Sequence, residues 1–239
     1  MASKCLSSSR TSSAIPPKRP APSCSKSSII ASPTPIPAAR AWFDQALTAH
    51  RDPGAFADAF TAAARRLGKA PLDLTAPEAE ALAAAGMTWP LSRWAVDEVG
   101  RVVLLVAAAG ELDEERLASL VEECYQSGDN RERQAVLRAL PLLPHSERLL
   151  ALGVEACRTS VQPLFEAIAC ENPYPAARFP DLNFNQMVLK ALFVGVAVDR
   201  IVGLDGRLTP ELARMAADYA SERRAAGRSV PSDIARLTG

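Results

Sequence analysis

The chain has 239 residues, with 27 basic and 27 acidic side chains, 48% hydrophobic residues and 23% charged ones. That length can bury the core of one domain or of two small ones, and the balance excludes both a wholly disordered chain and a strongly basic nucleic-acid binder. Forty-four alanines and 27 leucines against 5% aromatics favour helices over strands, so an all-α fold is expected.

Residues 1–38 hold 11 serines, 7 prolines and five cations (Lys4, Arg10, Lys18, Arg19 and Lys26) without an acid. No amphipathic face of useful length occurs there, so a disordered tail or an over-extended gene start is expected. The basic, Ser-rich, acid-free composition also fits an organelle transit peptide, whereas a secretory signal would need an apolar run. The folded domain is expected over residues 39–239, which carry 22 basic and 27 acidic groups, a net charge of −5. Phosphate backbones are repelled by that charge, and no nucleic-acid partner is expected.

Helical spacing begins with Trp42, Phe43, Ala46 and Leu47, and Arg51-Asp52-Pro53-Gly54 breaks it. A second helix runs from about Ala55 to Leu67, with Phe56, Phe60 and Ala63 on one face and Gly68 as its stop. Thr75-Ala76-Pro77-Glu78 combines a capping box with an early proline and opens a short helix that ends at Gly86. Ser92 is expected to open the next helix, with Trp94, Ala95, Val99, Val102, Val103 and Val106 on its buried side and Gly110 at its end.

Glu115–Glu123 and Glu147–Glu155 match at five of nine positions at an offset of 32 residues. Each is followed by a second helical stretch, Arg131–Leu140 and Gln162–Cys170, the first capped by Asp129 with Glu132. Stacked helical hairpins, extending to a HEAT- or TPR-like α-solenoid, fit that pattern. Beyond Cys170 the run from Glu171 to Asp181 carries three prolines and reads as an irregular loop. An apolar stripe of Phe184, Met187, Val188, Ala191 and Leu192 follows, then a turn at Asp205-Gly206, a long helix from Thr209 to Arg224 and a short closing helix from about Pro231.

The two most apolar stretches, Val102–Ala109 and Val188–Val198, are shorter than the roughly 20 residues that span a bilayer. No transmembrane segment is expected, and peripheral membrane association stays open. The five cysteines form no CxxC pair; Cys124, Cys157 and Cys170 read as small buried hydrophobes of a reducing compartment. The expected location is cytoplasmic, or an organelle if the tail is a targeting segment. No nucleotide loop, Rossmann fingerprint, HExxH or GxSxG occurs, so no catalytic residue, metal or cofactor is assigned.

The strongest candidate site lies at the junction of the proline-rich loop and the helix behind it: Tyr174, Arg178, Asn183, Asn185, Gln186 and Lys190. Spacings of three and four put Asn183, Gln186 and Lys190 on one helix face. The ordinary reading is that the amides tie down an irregular backbone, Asn183 or Asn185 capping the helix. The functional reading is a binding face for a ligand or a partner. Asp205, between Arg200 and Arg207, reads as a member of an ion pair, and adjacent Glu122 and Glu123 as a solvated surface.

From Asn172 onward the chain resembles the EboA family. The residues that carry the resemblance are Asn172-Pro173-Tyr174-Pro175, Phe179-Pro180, Asn183-Phe184-Asn185-Gln186-Met187-Val188-Leu189-Lys190-Ala191-Leu192-Phe193 and Arg200-Ile201-Val202-Gly203-Leu204-Asp205. Further on come Leu212-Ala213-Arg214-Met215 with Asp218-Tyr219, then Gly227-Arg228 and Val230-Pro231. The helices upstream from Trp42 are compatible with the family but generic. The resemblance implies a protein encoded in a bacterial secondary-metabolite gene cluster, beside a membrane prenyltransferase, a metal-dependent hydrolase, a sugar-phosphate cyclase and a phosphodiesterase. It brings no catalytic residues with it. Two roles follow: a non-enzymatic scaffold that binds other proteins of the cluster, or a binding protein or enzyme for an aromatic or isoprenoid metabolite, with its pocket beside loop 171–181.

Overall fold

A computed structural model describes residues 36–238, and within them short polar side chains and prolines set where the helices begin. Asp52 accepts the Gly54 amide at 2.9 Å ahead of α2 (Pro53–Leu67), which follows α1 (Ile36–Ala46). Glu78 accepts the Thr75 amide at 2.9 Å at the start of α3 (Ala76–Ala84). Asp113 heads α5 (Glu114–Ser127), and Asp129 with Glu132 closes a reciprocal box on α6 (Asn130–Ala139). Pro163 lies in the first turn of α8 (Gln162–Ala169) and Pro210 in that of α11 (Pro210–Ala225). With α4 (Val96–Ala109), α7 (Leu150–Ala156), α9 (Tyr174–Arg178), α10 (Asp181–Val194) and α12 (Ile234–Thr238), these make twelve α-helices and no strand among the described residues. The expected all-α fold is what forms. The tail assigned to residues 1–38 lies outside the described residues as far as residue 35, as do Cys5 and Cys24; residues 36–38 already belong to α1.

Helix α2 packs on α4, α4 on α6, α6 on α8, α8 on α10 and α10 on α11. Alanines at the buried faces, among them Ala135, Ala139, Ala167 and Ala169, let the helices approach closely, and Leu105, Leu137, Leu140 and Ile168 fill the space between them. The two segments related by the 32-residue offset differ in form: the first is the 14-residue α5, whereas the second is a 3₁₀ turn, Ser146–Leu149, followed by the seven-residue α7.

Two expectations are corrected. The fourth helix starts at Val96, not Ser92, because Ala70 and Leu72 pair with Val96 and Trp94 across an isolated bridge and hold that stretch extended. Its inward face is also rotated. Val103 and Val106 are exposed, while Asp97, Glu98, Arg101, Leu104, Leu105 and Ala108 are buried. The carboxylate of Asp97 accepts hydrogen bonds from Arg101 at 2.7 Å and from Arg131 of α6. Arg101 also donates to the Phe60 carbonyl at 2.9 Å, and Glu98 pairs with Arg138, whose guanidinium covers the Trp94 ring. With Glu132, three acids and three arginines thus form a neutral buried cluster between α4 and α6. Valines mark an apolar face in sequence, but here the charges go inside because each meets an opposite charge.

The second correction concerns the proline-rich loop. Its centre forms the five-residue α9, and neither Asn183 nor Asn185 fastens it; Pro180 occupies the start of α10. The fastening comes from Asn172, whose amide donates to the Leu137 and Ala167 carbonyls at 3.0 and 2.9 Å while its oxygen accepts the Tyr174 amide. Arg207 completes it from the other side, donating to the Ala176 and Phe179 carbonyls at 2.6 and 2.8 Å.

Candidate functional site

Helix α10 lies along the turn that joins α7 to α8, and a solvent-open trough runs between them. Its smaller lobe, about 290 Å³, is walled by Val154, Cys157, Phe179, Asn183, Gln186 and Met187. The larger, about 630 Å³, is mainly apolar, with Phe165, Leu189, Phe193, Val194 and Tyr219. Lys190 and Arg158 border both lobes, and no carboxylate lines either one.

The structure brings together three of the six residues singled out in the sequence: Asn183, Gln186 and Lys190. Their i, i+3, i+7 spacing carries them to the same wall. The Lys190 ammonium donates to the carbonyls of Cys157 and Thr159 and sits 4.8 Å from the centroid of the Phe165 ring. It therefore holds the end of α7 in place, where main-chain carbonyls have no helical partner. Burial keeps its pKa below the usual lysine range, and it has no carboxylate partner among the described residues. Arg158, 70% exposed at its side chain, is paired with Glu155 at 2.9 Å.

The other three go elsewhere. Tyr174 is buried, donates to the Ser146 carbonyl at 2.7 Å and meets Phe179 edge-on with centroids 6.0 Å apart. Burial pushes its hydroxyl up to about 12. Arg178 is a surface residue, 3.5 Å from Glu147. Asn185 faces away from the trough, toward α11.

Sequence reasoning missed Arg158, Phe165, Tyr219 and above all Phe193, which stands 68% exposed at the rim of the larger lobe. A signal was present for Phe193: it lies three residues beyond Lys190 and continues the Asn183–Gln186–Lys190 face by one step. The cysteines sit as expected, with Cys124, Cys157 and Cys170 buried and their thiols pushed up to about 12 by that burial. Asp205 does pair with an arginine, Arg236 at 2.9 Å. Arg200 instead clamps Glu166 and Glu171, both at 2.7 Å. No group of three or more His, Cys, Asp or Glu side chains that could hold a metal occurs among the described residues. Nor is any helix among them long and apolar enough to cross a membrane.

No curated protein and no solved structure matches the chain. The family profile described as "Metabolite traffic protein EboA" does match, and it extends the likeness seen beyond Asn172 back through the first helix, over residues 37–239. The chain belongs to the EboA family.

Proposed function

We propose that the protein takes up an amphipathic, acid-bearing metabolite in the α10 trough and passes it on without converting it. The observation that carries this reading is the placement of charge. Lys190, which has no carboxylate partner among the described residues, and Arg158, whose partner Glu155 lies outside the lining, stand where a polar lobe meets an aromatic one, so an anionic head placed there leaves an apolar body against Phe165 and Phe193. A handling role rather than catalysis is supported by the chemistry of the walls: the trough thiol, Cys157, stays protonated at neutral pH, and the Lys190 ammonium is held by two carbonyls, which leaves one N–H for an anion. The family description, metabolite traffic, points the same way.

The test is fluorescence titration of the full chain with 1-anilinonaphthalene-8-sulfonate, an aromatic anion of this class. Saturable binding is expected, weakened about tenfold, or 1.4 kcal/mol, by Arg158→Ala and by Phe193→Ser, whose side chains are too exposed to support the fold. Equal binding by both variants removes the trough as the site.

A second reading rests on Phe193 itself. An exposed aromatic at the mouth of an open trough suits contact with another protein, and a receiving enzyme from the same gene cluster is the partner we propose. The row of helices from α2 to α11, read as a short stack of hairpins, supplies a rigid mount for such a surface. Affinity purification with the cluster proteins separates the readings: retention of an enzyme by the wild type and its loss in Phe193→Ser supports docking.

A further inference from the structure

The opposite side of α10 borders a second cleft, of about 600 Å³, closed by the start of α11. Its walls include Asp181, Leu182, Asn185, Thr209, Arg214 and Met215. Asn185 is 3% exposed, yet its carboxamide forms no hydrogen bond among the described residues. The carboxamide touches solvent where the cleft opens, so it has no protein partner and is free to meet a ligand. The other polar groups around it are engaged. The Thr209 hydroxyl accepts the Leu212 amide at 3.1 Å, Arg214 forks onto Glu211 and reaches Asp218 at 2.8 Å, and Asp181 accepts from Arg207 at 3.0 Å. Between these ion pairs the lining is apolar, with Leu182, 62% exposed, beside Pro210 and Met215.

We infer that this cleft is a second binding site, specific for a small neutral molecule that carries an amide edge on an apolar body. A carboxamide offers a donor and an acceptor side by side, and a primary amide or lactam returns the same pair in reverse order, so two coplanar hydrogen bonds satisfy Asn185. The ligand is neutral because every charge at the cleft already has its counter-charge. Its apolar part lies on Leu182 and Met215. The site shares no lining residue with the α10 trough, so its failure leaves the proposal for that trough standing.

The test is nitrogen-15 NMR titration of the full chain with ε-caprolactam and benzamide, each paired with its ester analogue, caprolactone and methyl benzoate, which lack the N–H. Both amides are expected to shift the Asn185 side-chain signals and the Leu182 and Met215 amides saturably, with the esters at least about tenfold weaker, because a site built around a hydrogen bond rejects the analogue without it. Asn185→Leu is expected to abolish these shifts while leaving the melting temperature unchanged or higher. Absence of saturable shifts in the wild type, equal binding of the esters, retained binding in Asn185→Leu, or a lowered melting temperature in that variant each overturns the inference; the last would show that Asn185 serves the fold.

Discussion

The hydroxyl of Tyr174 donates a 2.7 Å hydrogen bond to the carbonyl of Ser146, 28 residues earlier in the chain. The bond ties α9 to the 3₁₀ turn that precedes α7, and both groups are buried. Tyr174→Phe keeps the ring against Phe179 and strands one carbonyl. A loss of about 1–2 kcal/mol is expected in urea unfolding, with an unchanged helical circular-dichroism signal.

The fastening of the proline-rich segment separates two asparagines that look alike in sequence. Asn172→Ala removes three hydrogen bonds at a buried position and is expected to cost about 2–4 kcal/mol. Asn183→Ala, at a half-buried position that caps nothing, is expected to stay within about 0.5 kcal/mol. Thermal denaturation of the two variants side by side checks the contrast; a large effect at Asn183 would restore it as a cap.

Gly153 lies so close to α9 that a Cβ there would stand 2.9 Å from a Tyr174 ring carbon and 3.3 Å from one of Phe179. Tyr174, the nearer ring, is buried and fixed through its hydroxyl to the Ser146 carbonyl, so it cannot retreat. Gly153→Ala is therefore expected to destabilise by about 1–3 kcal/mol, measured by chemical denaturation, although alanine is the better helix former.

Asp97 gives the protein an acid limit. Burial acts to raise its pKa, but hydrogen bonds and charge from Arg131 and Arg101 outweigh that and hold it below the usual aspartate value. The unfolded chain binds the proton first as pH falls, so this contribution is present above about pH 4 and is lost on further acidification. Asp97→Ala is expected to cost about 3–5 kcal/mol at neutral pH and to flatten the acid limb of the stability curve.

The buried thiols set the corresponding alkaline limit. Cys124, Cys157 and Cys170 ionise near 12 in the folded chain because of burial, and near 9 once exposed. Their contribution is intact below about pH 9 and declines above it. In a Cys5→Ser, Cys24→Ser chain, Ellman's reagent at pH 8 is expected to react only as fast as the protein unfolds. Rapid labelling of Cys157 would show that the trough thiol is accessible and ionised.

Local signals in the sequence carried the helical class and most helix starts, because a cap or an early proline acts within four residues. Thr75 and Asp129 could be read directly, whereas Asp52 and Pro53, read as a break, cap and open α2. The buried cluster around Asp97 could not: Asp97 and Arg101 stand one helical turn apart, but the arginine that completes the pair, Arg131, comes 34 residues later. The same limit explains the site. The Asn183–Gln186–Lys190 face was visible as a period, whereas Arg158 and Phe165 arrive from another hairpin, Asn172 ties the loop to Leu137 across 35 residues, and Arg207 reaches it across 31.

Helix α10 is a wall common to both clefts, with Gln186, Lys190 and Phe193 on one side and Leu182 and Asn185 on the other. A rigid helix that shifts toward an occupant on one side widens or narrows the space on the other. Two ligands bound across a helix that yields in this way would be allosteric effectors of one another, with a coupling free energy of one magnitude and sign in both directions. The ratio by which caprolactam changes the affinity for anilinonaphthalene sulfonate must then equal the ratio measured the other way round.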